Sequence, residues 1–301
     1  TFVIKLDYNM NSNKVSVIIP SFNRYNYLLN AIKSIQNQTY DNYEIIVVND
    51  GSTDDTEQLC QQAGVTVLSQ PYSKGNGAAI KTGARAASGE YIVFMDGDGQ
   101  HHPQDIPTLL EEVAKGYDLV VGARSGLAAQ ASVARWSANS FYNRFASWMV
   151  NRKIADLTSG FRCVRRDKFL SFLYLLPNGF SYPTTSTMAF FRAGYSVSFV
   201  PIKVSPRVGK SHINVLRDGV RFFLIIFKIG TLYSPLKIYF PVSFLMVGLG
   251  LVNYALSIFT SGSLRFTNMS TLLILAGMIV FLIGLLSEQL TNLQYKDSDN
   301  Q

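Results

Sequence analysis

The stretch Tyr91–His102, YIVFMDGDGQHH, decides the fold. It opens with an unbroken run of apolar and aromatic residues from Tyr91 to Met95, which predicts a buried strand. The run ends abruptly in two acids, Asp96 and Asp98, and a glycine follows each of them. Glycine lets the backbone turn sharply and approach a ligand closely. The stretch therefore predicts a central strand whose carboxyl end carries two acids at a tight turn.

The two acids, Asp96 and Asp98, allow two interpretations. Carboxylates at the end of a buried strand are costly unless a cationic partner meets them. Mg²⁺ is usually held by one or two carboxylates together with substrate phosphates, so the pair is typical of a metal site that a nucleoside diphosphate completes. The alternative is an ordinary β-turn, because Asp-Gly is a common turn dipeptide.

Strands and helices alternate along the chain on both sides of this stretch. The predicted strands are Val15–Pro20, Glu44–Asp50, Val65–Ser69, Tyr91–Met95 and Asp118–Val121, with an edge strand expected within 196–204. The strands are almost continuously apolar, and helical periodicity or Ala-rich sequence fills the intervals between them. This pattern predicts an α/β fold whose mostly parallel sheet is covered on both faces.

Polar side chains gather at the ends of these predicted strands. They are Asp50, Asp96, Asp98 and Arg124, and Pro20 also falls at a strand end. Ligands of open parallel sheets bind beyond the carboxyl ends of the strands. The coincidence predicts an active site at that edge of the sheet.

The carboxy-terminal third has the composition of a membrane segment. The chain has 301 residues and a net charge of +7, yet residues 238–264 and 266–287 contain no charged side chain. Each run exceeds the ~20 residues that cross a bilayer as a helix. A two-helix transmembrane hairpin is therefore predicted, with helices at about 238–260 and 267–287. The cations concentrate near these spans, which favours anionic lipid over nucleic acid as their partner.

The same patterns predict the domain organisation. We expect a flexible tail over 1–13, a catalytic domain over 14–209, an amphipathic interfacial helix over 210–234, two transmembrane helices within 235–290, and a tail over 291–301. Basic residues lie mainly on the side of the catalytic domain, so the positive-inside rule predicts that this domain is cytoplasmic. Two spans per chain are few for a stable bundle, which favours a homo-oligomer. Cys60 and Cys163 make no disulfide framework, as expected of a reduced compartment.

Six motifs in this order resemble the inverting family-two glycosyltransferases. They are VSVIIPSFNR, VVNDGSTDDT, KGNGAAIKTG, MDGDGQHHP, VVGAR and DLTSGFR. Within that family the chain is similar to the polyprenyl-phosphate glycosyltransferases, the group of dolichyl-phosphate mannose synthases and bactoprenol glucosyltransferases. The resemblance covers residues 14–210 densely, and the paired terminal spans match the bactoprenol type. A QxxRW motif, typical of processive polysaccharide synthases, is absent from the sequence, which favours transfer of a single sugar.

The resemblance implies a Rossmann-like (GT-A) fold, a nucleotide-sugar donor, Mg²⁺ or Mn²⁺, and a polyprenyl phosphate acceptor in the membrane. The expected reaction moves a hexose to the lipid phosphate with inversion, at the cytoplasmic face. UDP-glucose is the favoured donor, and GDP-mannose is the alternative. A non-enzymatic alternative is a membrane-anchored nucleotide-sugar sensor or scaffold, which the intact acids Asp96, Asp98 and Asp156 disfavour.

The resemblance also assigns roles to residues by their place in the motifs. The nucleotide contacts are expected from Pro20, Phe22, Asn23, Asp50, Lys74, Gly75 and Asp96. The metal is expected on Asp96 and Asp98, the sugar on Gln100, and the acceptor phosphate on Arg124, Arg135, Arg207 and Lys210. The catalytic set is Asp156, Asp98 and Arg124, with Asp156 either a general base or an orienting group.

Two groups of polar residues are expected to have no direct part in the reaction. Arg162, Arg165 and Arg166 are predicted to lie on a solvated or lipid-headgroup face. His101 and His102 are predicted to support the site structurally rather than to bind the metal.

Overall fold

The computed structural model describes residues 13–38, 40–96, 101–124, 133–179, 181–204, 227–228, 230–262 and 264–296. Asp98, Gln100, Arg207 and Lys210 lie outside these residues, as do the side chain of Arg135 and most of the predicted interfacial helix. The chain divides into two compact units, Thr1–Ile213 and Asn214–Gln301.

A seven-stranded sheet forms the centre of the first unit. Its strands are β1 (Val15–Ser21), β2 (Tyr43–Asn49), β3 (Thr66–Ser69), β4 (Tyr91–Phe94), β5 (Leu119–Arg124), β6 (Arg162–Arg165) and β7 (Val197–Ile202). The strand order is β3-β2-β1-β4-β6-β5-β7. All neighbouring strands are parallel except β6, which is antiparallel to both β4 and β5. The predicted mostly parallel sheet and the edge position of β7 are confirmed.

Helices connect the strands and cover both faces of the sheet. They are α1 (Tyr25–Gln36), α2 (Thr56–Gln62), α3 (Asn76–Ala86), α4 (Ile106–Ala114), α5 (Val133–Val150), α6 (Arg166–Leu170) and α7 (Tyr182–Arg192), with a 3-10 turn at Pro103–Asp105. On one face, Val17 and Ile19 of β1 join the apolar core that α1 and α4 complete. On the other face α3 packs so closely that a Cβ on Gly83 would lie 2.5 Å from Ile18 Cγ2.

The predicted architecture lacks two elements, and one predicted strand is too short. The missing elements are β6, whose four residues begin and end with an arginine, and α7. The strand that was expected to end at Val121 continues to Arg124, because β7 pairs with β5 as far as Arg124, whereas β6 pairs with it only as far as Val121. A short strand with charged ends shows no apolar run, so pattern analysis alone misses it.

Two long apolar helices make up most of the second unit. They are α8 (Pro235–Ser261) and α9 (Asn268–Lys296), each long and apolar enough to cross a bilayer. In the most apolar 18-residue stretch of each helix, only 11% of α8 and 17% of α9 is buried within the protein. Core helices of a soluble domain are mostly buried, so these helices do not fit that class. The predicted hairpin of two apolar helices is confirmed.

Small residues and polar contacts hold the two apolar helices together. A Cβ on Gly277 would lie 2.7 Å from Val247 Cγ2, so the backbones approach closely there. The hydroxyl of Ser243 donates to the carbonyl of Gly277 at 2.8 Å, and Asn253 Oδ1 accepts from Ser270 Oγ at 2.9 Å. Close backbone approach at small residues and side-chain hydrogen bonds are the usual means of joining helices in lipid.

Candidate active site

The carboxyl edge of the sheet collects the predicted site residues that the structure describes. Pro20 is the second-to-last residue of β1, and Asp50 directly follows β2. Asp96 lies two residues beyond β4, and Arg124 is the last residue of β5. The sheet order places β1 between β2 and β4, so the ends of these three strands are neighbours, and β6 separates β4 from β5. The sequence-based placement of these residues at one edge is therefore correct.

Asn23 joins the loops that follow β1 and β2. Its φ angle is +50°, a left-handed conformation that asparagine tolerates better than most residues. Its Oδ1 atom accepts from the Thr53 amide at 2.8 Å, while its own amide donates to Ser52 Oγ at 3.0 Å. Phe22, next to it, leaves about half of its side chain exposed. The two loops thus form one ordered rim beside an exposed aromatic ring.

Asp50 shapes the loop that carries Lys74 and Gly75. Its two carboxylate oxygens accept hydrogen bonds from the Lys74 amide at 2.8 Å, the Gly75 amide at 3.0 Å and Ser73 Oγ at 2.8 Å. Gly75 has a φ angle of +100°, and a Cβ there would lie 2.7 Å from the Asn178 carbonyl, so the position requires glycine. The Lys74 ammonium lies 5.5 Å from the centre of the Tyr72 ring and stays exposed. Asp50 is buried, its amide donates to the Ser21 carbonyl at 2.9 Å, and its carboxylate accepts from this loop.

Asp96 is half-buried beside a glycine whose lack of a side chain makes room for it. A Cβ on Gly160 would lie 2.5 Å from Asp96 Oδ2. The Asp96 amide donates to His101 Nδ1 at 3.3 Å, and the His101 ring stacks on Phe161 at 5.1 Å. These contacts connect His101 to the backbone of Asp96 and to the ring of Phe161. The loop before β6 and the loop after β4 therefore meet at Asp96.

The residues present fit a divalent cation by their chemistry. Asp96 offers hard carboxylate oxygens at the open edge of the sheet, and the second expected ligand, Asp98, lies outside the described residues. Within the described part of the chain, no three His, Cys, Asp or Glu side chains form a metal-binding group by themselves. A Mg²⁺ or Mn²⁺ ion at this edge would accordingly rely on one or two carboxylates and on ligand phosphates, as Mg²⁺ commonly does.

Asp156 and Arg124 form a buried ion pair with several hydrogen bonds. Arg124 Nε donates to Asp156 Oδ2 at 2.6 Å and Arg124 Nη2 donates to Oδ1 at 2.9 Å, so the guanidinium meets the carboxylate with both forks. The Arg124 amide adds a bond of 3.2 Å to Oδ2, and Nη2 also reaches Thr158 Oγ1 at 2.6 Å. Bidentate pairs of this kind fix geometry as well as charge.

The pair keeps Asp156 ionised. Burial alone raises the pKa of the Asp156 carboxyl, but the hydrogen bonds and the charge of Arg124 outweigh burial and hold the pKa below its ordinary value. The Arg124 side chain is 25% exposed to solvent, whereas the Asp156 side chain is only 7% exposed. The unit presents a partly accessible guanidinium backed by a buried carboxylate.

Arg162 is fully buried, so its predicted place on a solvated or lipid-headgroup face is wrong. Its guanidinium donates to the Pro183 carbonyl and to Ser186 Oγ, both at 2.9 Å, and to the Ser159 carbonyl. These acceptors belong to the start of α7 and to the loop before β6, and they remove the side chain from solvent. Arg165, by contrast, is partly exposed and lies 3.6 Å from Asp167.

The buried guanidinium places a positive charge near the acids of the site. Burial lowers the pKa of Arg162, while the nearby carboxylates of Asp156 and Asp96 act in the opposite direction. Tyr182, also buried, donates its hydroxyl to the Gly160 carbonyl at 3.0 Å and so holds the glycine that packs on Asp96. Neither role was predicted, because the acceptors around Arg162 include residues of α7 that are distant in sequence.

Two buried hydroxyls at this edge have no hydrogen-bond partner among the described residues. They are Ser21 Oγ at the end of β1 and Ser159 Oγ in the loop before β6. Most buried polar atoms in folded proteins are paired. Each of these two hydroxyls can hydrogen-bond to a bound ligand or water.

The sequence profile of Glycosyl transferase family 2 matches residues 16–172, which is more than half of the chain and includes every strand from β1 to β6. The chain belongs to glycosyl transferase family 2. A second profile, the GtrB C-terminal hairpin, matches residues 234–293, which contain α8 and most of α9.

Individual members of the family support this placement. Glycosyltransferase AglJ of Haloferax volcanii is 28% identical over 247 residues, which cover 80% of each chain. Dolichol-phosphate mannosyltransferase of Pyrococcus furiosus is 36% identical over 169 residues, which cover 51% of this chain and 47% of that protein. The match thus spans about half the length of the second relative.

A solved structure shares the fold of the family 2 unit. It is the crystal structure of glucosyl-3-phosphoglycerate synthase from Mycobacterium tuberculosis in complex with Mn²⁺, UDP and phosphoglyceric acid. The TM-score is 0.58 at 23% identity, and the match covers 72% of this chain and 78% of that one. This likeness confirms the predicted GT-A fold.

Proposed function

We propose that this family 2 glycosyltransferase moves a hexose from a nucleoside diphosphate sugar to a polyprenyl phosphate, with inversion at the anomeric carbon. The observation that carries the proposal is the Arg124–Asp156 unit at the carboxyl edge of the sheet. A guanidinium is a permanent cation suited to bind a phosphate, and here a buried acid fixes its direction. The Pyrococcus relative is a dolichol-phosphate mannosyltransferase, and this relative and the matched hairpin support a lipid phosphate as the acceptor.

The low pKa of Asp156 favours an orienting role over that of a general base. A carboxylate whose lone pairs already accept from Arg124 and Thr158 has little capacity to take a further proton. The acceptor needs little help, because a phosphate monoester has a second pKa of about 6 and is mostly ionised near neutral pH. In this scheme Asp156 aims the Arg124 guanidinium, and Arg124 binds the lipid phosphate.

The bonding changes of the transfer are simple. An oxygen of the lipid phosphate forms a bond to the anomeric carbon as the bond from that carbon to the nucleoside diphosphate breaks. The nucleoside diphosphate leaves with the bonding electron pair, and a divalent cation bound at Asp96 and Asp98 would neutralise its charge. On the protein side, Asn23, Asp50 and Lys74 shape the rim and loop proposed to hold the nucleotide, and Gln100 is proposed to contact the sugar.

The remaining predictions belong to the same proposal. The acceptor phosphate also contacts Arg135, Arg207 and Lys210, and the amphipathic segment over 210–234 lies at the membrane interface. The catalytic unit faces the cytoplasm, α8 and α9 span the bilayer, and the chain assembles as a homo-oligomer. UDP-glucose is the first donor to test. GDP-mannose is the second, because the Pyrococcus relative is named a mannosyltransferase.

The decisive experiment follows the sugar into lipid. Membranes containing the full-length protein are incubated with radiolabelled UDP-glucose or GDP-mannose, and the lipids are extracted and separated. We expect label in a polyprenyl-phosphate sugar with one donor, loss of the label when EDTA is present, and its return with Mg²⁺ or Mn²⁺. Full labelling in EDTA would remove the metal from the scheme, and the absence of labelled lipid with every nucleotide sugar would contradict the proposed function.

A matched pair of variants controls this experiment. Asp96→Asn removes a proposed metal ligand and should abolish labelling, while Glu111→Gln on α4 removes an acid away from the carboxyl edge and should leave labelling unchanged. The anomeric configuration of the labelled product, read by NMR, tests inversion separately. A product that retains the donor configuration would overturn the single-displacement scheme.

A further inference from the structure

One face of α5 exposes aromatic and cationic side chains in a single line. Phe141 is 59% exposed and Trp148 is 49% exposed, and Arg144 between them is exposed as well. Spacings of three and four residues place these three on one side of the helix. The exposed Arg152 and Lys153 follow directly after the helix. We refer to these five residues as the α5 stripe.

The opposite side of α5 is an ordinary packing face. Tyr142, Ala146 and Met149 are 8%, 3% and 1% exposed, and they recur at spacings of four and three. The exposed aromatic rings of the stripe are therefore not needed to attach α5 to the rest of the first unit. Contiguous exposed apolar surface next to polar residues usually marks an interaction site.

The charge around the stripe selects the kind of partner. From Leu119 to Ala155 the sequence contains no Asp or Glu, while it contains five cations. Among the described residues, Arg144, Arg152 and Lys153 form no ion pair with a carboxylate. Aromatic side chains favour the boundary between water and lipid, and cations favour the phosphates of an anionic leaflet. An anionic bilayer surface meets both requirements.

The polar positions of the same helix hold the loop that carries Asp156. Asn143 Nδ2 donates to the Ala155 carbonyl at 2.8 Å, and Asn143 Oδ1 accepts from the Leu157 amide at 2.9 Å. Ser147 Oγ accepts from the Ile154 amide at 2.9 Å. The acid thus sits between two residues fixed to α5, so any surface on which α5 rests sets the height of Asp156 above that surface.

We propose that the α5 stripe docks on the headgroup region of an anionic lipid bilayer and so sets the depth of the Arg124–Asp156 unit relative to the membrane. The proposal rests on the membrane attachment in the proposed function, but it does not depend on the transfer reaction. Phe141 and Trp148 insert at the boundary between headgroups and acyl chains, and Arg144, Arg152 and Lys153 contact lipid phosphates.

Tryptophan fluorescence tests this docking directly, because the chain has only two tryptophans. The full-length Trp136→Phe variant, in nanodiscs that contain anionic phospholipid, reports Trp148 alone. We expect acyl-chain-brominated lipid to quench its emission and dissolved iodide to leave it protected. Since no donor or acceptor is present, this result is independent of whether the protein transfers sugar.

A tryptophan elsewhere on the first unit is the matched control. Tyr174 is a similarly exposed aromatic residue outside α5, and Trp136→Phe/Trp148→Phe/Tyr174→Trp moves the probe there. This probe should be open to iodide and unquenched by brominated lipid. Equal quenching at both positions would overturn a specific role of α5.

Three results would contradict the docking of the α5 stripe on lipid. If iodide quenches Trp148 and brominated lipid does not, the α5 stripe faces solvent. Trp148 protected from both quenchers would show that a protein surface, such as a second copy of this chain, covers it. Quenching by brominated lipid that is unchanged in Arg144→Gln/Arg152→Gln/Lys153→Gln would remove the anionic surface from the proposal.

Discussion

The two ends of the seven-stranded sheet use the same charged residue types in opposite ways. At the amino end, Glu44 near the start of β2 accepts hydrogen bonds from Lys14, Ser16 and Ser88 at 2.9 Å or less. Asp118, just before β5, likewise accepts from Lys168 and Ser196. Each of these acids is enclosed by partners that tie strand starts together.

At the carboxyl end the charges are arranged toward an open edge. Arg124 is directed by Asp156 but remains partly exposed, Asp96 is half-buried beside a glycine, and Arg162 is buried near both acids. At the amino end, each acid is paired with a lysine and with serine donors. At the carboxyl end, charged groups lie at the edge of the sheet where we propose that the substrates bind.

The largest effect is expected from breaking the Arg124–Asp156 unit. Arg124→Gln and Asp156→Asn should each lower kcat by about 100-fold or more, the size found when one preorganised electrostatic group is lost. Because we propose that the acid acts only through the guanidinium, the double variant should be about as slow as either single variant. Single-turnover transfer with saturating donor measures the three rates.

If the loss of rate in the double variant is the product of the two single losses, Arg124 and Asp156 have independent roles. The general-base interpretation of Asp156 would then be favoured over the orienting one. Circular dichroism and thermal denaturation in detergent control for unfolding, since removing one member of a buried pair also destabilises a protein by roughly 3–5 kcal/mol.

The buried arginine sharpens the comparison through stability. Arg162→Met leaves the acceptors around its guanidinium without that donor, and it should lower the free energy of unfolding by on the order of 3 kcal/mol. Arg165→Met, three residues later on the same strand, removes a partly exposed pair and should cost less than about 1 kcal/mol. Thermal denaturation of the two purified variants in the same detergent compares them. Equal losses of unfolding free energy in the two variants would contradict the stabilising role of the buried hydrogen bonds of Arg162.

The smallest effect is expected at the amino end, and it depends on pH. Burial raises the pKa of Glu44, but the hydrogen bonds from Ser16, Ser88 and Lys14 outweigh it and lower the pKa from 4.5 to about 2. The folded protein therefore binds the proton less readily than the unfolded chain, and Glu44 stabilises the fold fully above pH 4.5. This stabilisation is lost as the pH falls toward 2.

Glu44→Gln should accordingly lower the melting temperature at pH 7 and approach the wild type as the pH is lowered, with transfer activity unchanged. The Glu111→Gln variant controls for the loss of one carboxylate elsewhere. A Glu44→Gln effect that is the same at pH 7 and pH 3 would contradict the assigned hydrogen-bond cluster.

The fold was predictable wherever local patterns carried it. The strands β1, β2 and β4 contain runs of consecutive apolar residues, and α8 and α9 contain long stretches without charge. Both the mostly parallel sheet and the hairpin of apolar helices were therefore predicted correctly. The placement of Asp50, Asp96 and Arg124 at one edge followed from the rule for parallel strands.

The missed features all depend on residues far apart in the chain. Arg162 is buried because α7, about twenty residues later, supplies its acceptors. The pairing of Arg124 with Asp156 bridges 32 residues and turns two separately predicted residues into one unit. Neither contact leaves a mark on local periodicity or composition, and β6, which carries Arg162, is too short and too charged to show an apolar run.

The central claim is that Arg124, aimed by Asp156, binds the phosphate of a lipid acceptor. The most direct test measures apparent KM values for both substrates, polyprenyl phosphate and nucleotide sugar, in the wild type and in Arg124→Gln. The account predicts a large rise in KM for the lipid phosphate, little change in KM for the nucleotide sugar, and no transfer to the corresponding polyprenol without phosphate. Equal rises in both KM values, or transfer to the polyprenol, would contradict it.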